Sequence, residues 1–267
     1  MHALSCKAWN AARLLLAMAA VLPAGNRAMA QPMSQAAAAS TSTATGAAPS
    51  PLYLGAVLFD QLEYRSNGRG GNALAWQGLA YYGTSQERVV VNTRGETNQS
   101  TGNLDRGEAQ VLYSRLLGYF WDVQAGVRQD LRVQPRLGSP GRTYGVFGFQ
   151  GLAPGFFQVQ AHVFLGERGV LLGRAAATYD LYITNRLVLQ PEVEANFSAG
   201  WDRQALISPG VYRVELGIRL RYEITRELAP YIGFSHERRT GGAAGLSRRT
   251  GENPEINTAV AGIRLFF

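Results

Sequence analysis

Beyond position 30 the chain contains no lysine and no cysteine, and its 267 residues include only three histidines and four methionines. The single cysteine, Cys6, lies ahead of an apolar run and is not placed as a lipid-anchoring residue. A chain without cysteine forms no disulfide and offers no thiolate to a metal. Also missing is any stretch of the roughly 20 uninterrupted apolar residues that a helical membrane span requires. The longest apolar run, LLLAMAAVL from Leu14 to Leu22, follows Lys7 and Arg13 and precedes Ala28-Met29-Ala30. That order is a secretory signal peptide over residues 1–30, with cleavage expected after Ala30.

Removing the signal changes the charge. It holds three of the 26 basic residues and none of the 19 acids, so the remainder carries 23 minus 19, or +4. All of those remaining bases are arginines, and they alternate with acids instead of clustering beside aromatics, which disfavours nucleic-acid binding. Residues 31–51 are rich in Ala, Ser and Thr and offer almost nothing to bury, so a disordered leader is expected there. One domain, 52–267, comes after it.

What that domain has is alternation. In RVELGIRLRYEI, Val214, Leu216, Ile218, Leu220, Tyr222 and Ile224 form one series; Arg213, Glu215, Gly217, Arg219, Arg221 and Glu223 form the other. A period of two means an extended strand with one apolar and one charged face. A soluble sandwich turns the charges outward, whereas a membrane barrel turns the apolar face to lipid. The same pattern sets Arg88, Asn92, Arg94 and Glu96 against Val89, Val91 and Thr93. It sets Asp122, Gln124, Arg128 and Asp130 against Trp121, Val123, Ala125 and Val127. It recurs with Gln158, Gln160 and His162, with Arg174, Thr178 and Asp180, and with Gln190, Glu192, Glu194 and Asn196. The first strand, YLGAVLFDQLEYR, breaks it, because Asp60 shares parity with Leu58 and Leu62.

Roughly twelve strands fit between Tyr53 and Phe267, joined by links that alternate short and long. GTSQ, LGYF, APG, TN and TREL are short; TNQSTGNLDR, VQPRLGSPGR, SAGWDRQALISPG and RTGGAAGLSRRTGENPEIN are long. An outer-membrane barrel is built this way, with turns in the periplasm and loops outside. The closing TAVAGIRLFF alternates apolar residues up to the terminal Phe267, which looks like the signal read by bacterial barrel-assembly machinery. An arginine facing lipid at the bilayer midplane costs about 2–4 kcal/mol, so the arginine series must face an enclosed lumen. The expected fold is all-β: an antiparallel transmembrane β-barrel of about twelve strands in outer-membrane lipid. Tyr64, Tyr82, Tyr113, Trp121, Phe157, Trp201 and Tyr222 suit interfacial girdles, or are ordinary strand aromatics.

The strings FDQLEYR, LYSRLLGYFWDVQAGVRQDLR, FGFQGLAPGFFQVQA, LVLQPEVEANF, LGIRLRYEITRELAPYIG and AGIRLFF resemble the copper-resistance protein B family of outer-membrane proteins. The resemblance covers nearly all of Tyr53 to Phe267. It implies a copper ion as cargo, a role in binding, sequestering or exporting copper, and a periplasmic copper-binding protein or oxidase as partner. Family members often carry a Met- and His-rich segment ahead of the barrel; here that stretch has Met33 alone. The candidate copper contacts are therefore Met33, His162, Glu192 and Glu194, with carboxylates foremost. His162 among glutamines also reads as a hydrogen-bonded filler. Arg94, Glu108, Asp122, Arg128, Asp130, Arg174, Asp180, Arg213, Glu215, Arg219, Arg221 and Glu223 form the expected lumen charge network, salt-bridged packing first and a cation path second. A passive diffusion channel without metal specificity is the alternative. Catalysis is not expected: only His236, with Ser235 or Ser247, could form a Ser/His arrangement, and neither serine sits in a G-x-S-x-G setting.

Overall fold

A computed structural model of the chain describes residues 52–66, 71–99, 103–131, 141–167, 169–203 and 205–267. The signal segment, the leader with Met33, and Arg132 lie outside them. The strands are β1 (Leu54–Ser66), β2 (Asn72–Gly83), β3 (Glu87–Asn98), β4 (Asn103–Leu116), β5 (Trp121–Leu131), β6 (Arg142–Ala153) and β7 (Phe157–Gly166). They continue with β8 (Leu171–Thr178), β9 (Leu181–Tyr182), β10 (Leu187–Ser198), β11 (Gly210–Tyr222), β12 (Leu228–Arg239) and β13 (Glu255–Phe266). Each pairs antiparallel with its chain neighbour, and β8 and β9 both pair with β10 as two parts of one strand. Twelve strands therefore run around the sheet, and pairing of β1 with β13 closes it. Closure leaves no strand edge in hydrocarbon, where unpaired backbone groups cost several kcal/mol each. The last residue shares in it, since Phe267 and Val57 exchange backbone hydrogen bonds of 2.8 and 2.9 Å.

Parity decides which side chains face lipid. Leu216, Ile218, Tyr222 and Ile224 are exposed on the outer wall, while Arg219 and Arg221 are buried inside. Val89, Val111, Val127, Phe147, Val163, Val193, Ile232 and Phe234 extend the outer band. Rings gather at the turn end of the barrel: Tyr53 stacks on Tyr82, Trp121 meets Phe149 edge-on, and Phe157 lies 4.9 Å from Tyr179. Trp201 lies in the β10–β11 link, where Gly242 leaves room for its ring.

The broken parity of the first strand has a local cause. The β1 register shifts between Phe59 and Gln61 against β2, and between Phe59 and Leu62 against β13. A bulge of this kind inserts one residue and re-aims the side chains beyond it. Leu58 lines the lumen before it, Asp60 is the inserted residue and also lines the lumen, and Gln61 and Arg65 line it afterwards.

Two links differ from the sequence expectation. TNQSTGNLDR is expected to be a long loop, but strand pairing reaches Asn98↔Asn103, so only 99–102 connect β3 and β4. Polar residues beyond the bilayer still complete a backbone ladder, because pairing needs only N–H and C=O groups. The link after β12 contains a short helix, α1 (Gly241–Arg249), whose own Ala243, Ala244 and Ser247 are buried. The β10–β11 link turns inward, placing Ile207 in a buried cluster with Tyr144, Phe164 and Leu172. No helix among the described residues is long and apolar enough to cross a membrane.

Candidate functional site: a lumen in two chambers

The inward residues divide the lumen into a loop-end chamber of about 570 Å³ and a turn-end chamber of about 430 Å³. Gln77, Arg94, Glu108, Arg174 and Glu192 line both, and so form the layer between them. Arg94 on β3 reaches Glu194 on β10 at 2.8 Å and Gln77 at 3.0 Å. Arg174 on β8 grips Glu108 on β4 through both carboxylate oxygens, at 2.9 and 2.8 Å. These strands are not neighbours, so the ion pairs bridge the lumen.

At the loop end, rows of opposite sign lie side by side. Register places Glu194, Glu215 and Glu237 across adjacent strands, and Asn196, Arg213 and Arg239 in the next row. Like charges directly opposite are unfavourable by themselves; the neighbouring arginines offset them. Arg213 lies 3.3 Å from Glu194 and 3.9 Å from Glu237, and Arg65 lies 3.7 Å from Glu215. Arg128 pairs with Glu108 and Asp130 while its guanidinium lies 4.4 Å above the Phe164 ring. Arg142 holds Asp202 of the inward link, and Arg239 holds both Ser247 and Glu252 beyond β12.

Strand parity in β1 hid a central residue, Glu63. It is fully buried and accepts from Arg65 at 2.6 Å, Tyr231 at 3.0 Å and Arg219 at 3.3 Å. The alternation Gln61, Glu63, Arg65 after Asp60 is the signal that a one-residue bulge would have exposed.

Of the four candidate copper contacts, His162, Glu192 and Glu194 do not converge. His162 sends Nε2 to Gln124 Oε1 at 2.8 Å, across the bare Gly148 strand position that leaves room for its ring. Glu192 accepts from Arg219 at 2.5 Å and from Gln61 at 3.4 Å. Glu194 is held by Arg94, Arg213 and Asn196. Met33 is not described. No group of three or more His, Cys, Asp and Glu side chains positioned to hold a metal ion occurs among the described residues. The remaining network residues are likewise paired: Asp122 with Arg88, and Asp180 and Glu223 with Arg221.

Outside the ion pairs, the turn-end chamber is walled by carboxamides. Gln77, Gln110, Gln150, Gln158, Gln160 and Gln190 all line it. Ser235 and His236 face opposite sides of β12: Ser235 donates to lumen Glu215, whereas His236 shares a bond with Asn257.

A closed antiparallel sheet with an apolar outer band, a turn-end ring of aromatics and a charged interior is an outer-membrane β-barrel. The family model of the copper resistance protein B precursor matches residues 53–267, and the chain belongs to that family. It is 37% identical over 211 residues to copper resistance protein B of Escherichia coli, covering 79% of this chain and 69% of the relative. A copper resistance protein B homolog of Pseudomonas syringae pv. tomato is 37% identical over 208 residues, 78% of this chain and 68% of the relative. Among solved structures, NanC porin matches with a TM-score of 0.49 at 15% identity, covering 79% of this chain and 99% of that one. KdgM porin matches with a TM-score of 0.46 at 10% identity over the same shares. Membership of the copper resistance protein B family places the protein in the outer membrane, with a role in copper resistance.

Proposed function

We propose that the barrel serves copper resistance by accepting copper from the periplasm into the turn-end chamber and passing it outward when the layer between the chambers opens. One observation carries this reading: Glu192 lines both chambers, and its arginine partner, Arg219, is also satisfied by Glu63. A carboxylate whose partner keeps a second acid can loosen without stranding a buried charge. Loose, multi-site contact is what passage requires, since a cargo held tightly does not leave.

The test is copper tolerance of a strain lacking the gene, complemented by the wild-type chain or by Glu192→Gln. The variant should fold to wild-type heat modifiability and restore less tolerance. Equal tolerance with and without the wild-type gene would sink the copper reading, and would favour the alternative, a passive diffusion channel. On our reading the barrel is non-catalytic, so purified protein should leave phospholipid unhydrolysed. A periplasmic copper-binding protein or oxidase would supply the cargo, and barrel-assembly machinery would read the strand ending at Phe267. Phe267→Ala should reduce the amount assembled in the outer membrane.

A further inference from the structure

Every carboxylate lining the turn-end chamber already holds an arginine: Asp60 with Arg264, Glu108 with Arg174, Asp122 with Arg88, Asp180 with Arg221 and Glu192 with Arg219. A bare cation would have to displace these partners and then assemble ligands from separate strands. The groups left uncommitted are of another kind. Gln150, Gln158 and Gln160 make no side-chain hydrogen bond among the described residues, and neither does Asn92 across the chamber. Gln150 and Gln160 are direct cross-strand partners on β6 and β7, and Gln158 is the next inward residue along β7. Three carboxamides thus form one patch on the chamber wall.

A carboxamide offers two N–H donors and a carbonyl acceptor, and carries no charge. It recognises a solute's own hydrogen-bonding edge and is a poor substitute for a metal's ligands. We propose that the turn-end chamber takes copper as a small neutral chelate, whose own amine N–H and carboxylate oxygens meet Gln150, Gln158 and Gln160. The metal keeps the ligands it arrives with, and the protein binds the complex by its rim. This inference rests on the copper role proposed above and names the form of the cargo. A chamber of about 430 Å³ falls within the range of about 300–1,000 Å³ typical of small-molecule sites. The arginine-held acids around the patch keep the chamber polar without attracting a free divalent ion strongly.

The probe is bis(glycinato)copper(II), a neutral complex with N–H donors and carboxylate oxygens. Purified barrel in detergent is titrated calorimetrically with this chelate, with aqueous copper(II) in a non-coordinating buffer, and with glycine alone. The chelate should bind at least tenfold more tightly than the aqueous ion, and glycine should not bind. Gln150→Leu with Gln160→Leu keeps side-chain size and removes no bond made in the structure, so the variant should retain wild-type heat modifiability. It should lose at least tenfold in chelate affinity and none for the aqueous ion. Tighter binding of the aqueous ion, or undiminished chelate binding by the leucine pair, would overturn the proposal. If the chelate binds as expected while the gene has no effect on copper tolerance, the amide site stands and the copper-resistance role of the chamber falls.

Discussion

The two chambers are walled by the same twelve strands and yet are built on opposite principles. The loop-end chamber is a lattice of arginines and glutamates paired across the lumen, as in Arg94–Glu194, and between adjacent strands, as in Arg213–Glu237. In the turn-end chamber the ion pairs leave part of the wall free, and there β6 and β7 present carboxamides with nothing attached. A densely paired lattice resists change, because removing one member strands another buried charge. An uncommitted amide can be removed at little structural cost, which is the property expected of a surface kept for something else. On the function proposed above, the difference separates the part of the lumen that holds the barrel's interior in shape from the part available to a cargo.

The largest effect to be expected is all-or-none and concerns which chamber faces outward. A thiol-specific reagent applied to intact cells should label Thr250→Cys, at the exposed end of α1, and should leave Ser85→Cys in the β2–β3 turn unlabelled. The reverse labelling would exchange the roles of the two chambers.

Next in size is the cost of breaking the lattice. Glu194→Ala leaves Arg94 and Arg213 without the acid they share, and should cost about 3–5 kcal/mol. Urea unfolding in liposomes would measure it, with Gln160→Leu as the turn-end comparison. Equal losses at the two sites would erase the distinction between the chambers.

A smaller effect belongs to the layer between them. Arg94→Ala removes the bridge to Glu194 and Gln77, and should raise single-channel conductance in planar bilayers above the wild-type level. Unchanged conductance would place the barrier elsewhere, with the inward β10–β11 link the next candidate.

His162→Leu should cost only about 1 kcal/mol, since it removes one hydrogen bond to Gln124. A loss several times larger would mean that His162 does more than fill the wall. Least of all should come from Glu252→Gln at the outer rim. Its pair with Arg239 is half exposed on the acid side, and such pairs contribute about 0–1 kcal/mol.

Much of the barrel was legible in the residues. RVELGIRLRYEI places Arg219 and Arg221 on one face and Leu216 and Ile218 on the other, and the barrel puts them inside and outside accordingly. Glu63 was not legible, because the bulge at Asp60 shifts parity midway along β1 and sequence alternation assumes an unbroken pleat. TNQSTGNLDR looked like a loop because polarity marks loops only while it also means leaving the sheet. Gln158 and Gln160 could be seen beside His162 as inward residues, but that they are unbonded while every acid around them is paired could not.

What the sequence determined by itself, wherever the pleat is unbroken, is the face each side chain occupies, since a period of two is a local property of the extended chain and needs no partner. It also determined the family, since strings spread from Phe59 to Phe267 carry it. The tertiary structure alone decided which charges meet. Arg94 and Glu194 are separated by 100 residues, and Arg219 and Glu63 by 156. Such pairs depend on the stagger of twelve strands closing on themselves, a sum of registers that no single stretch of chain contains.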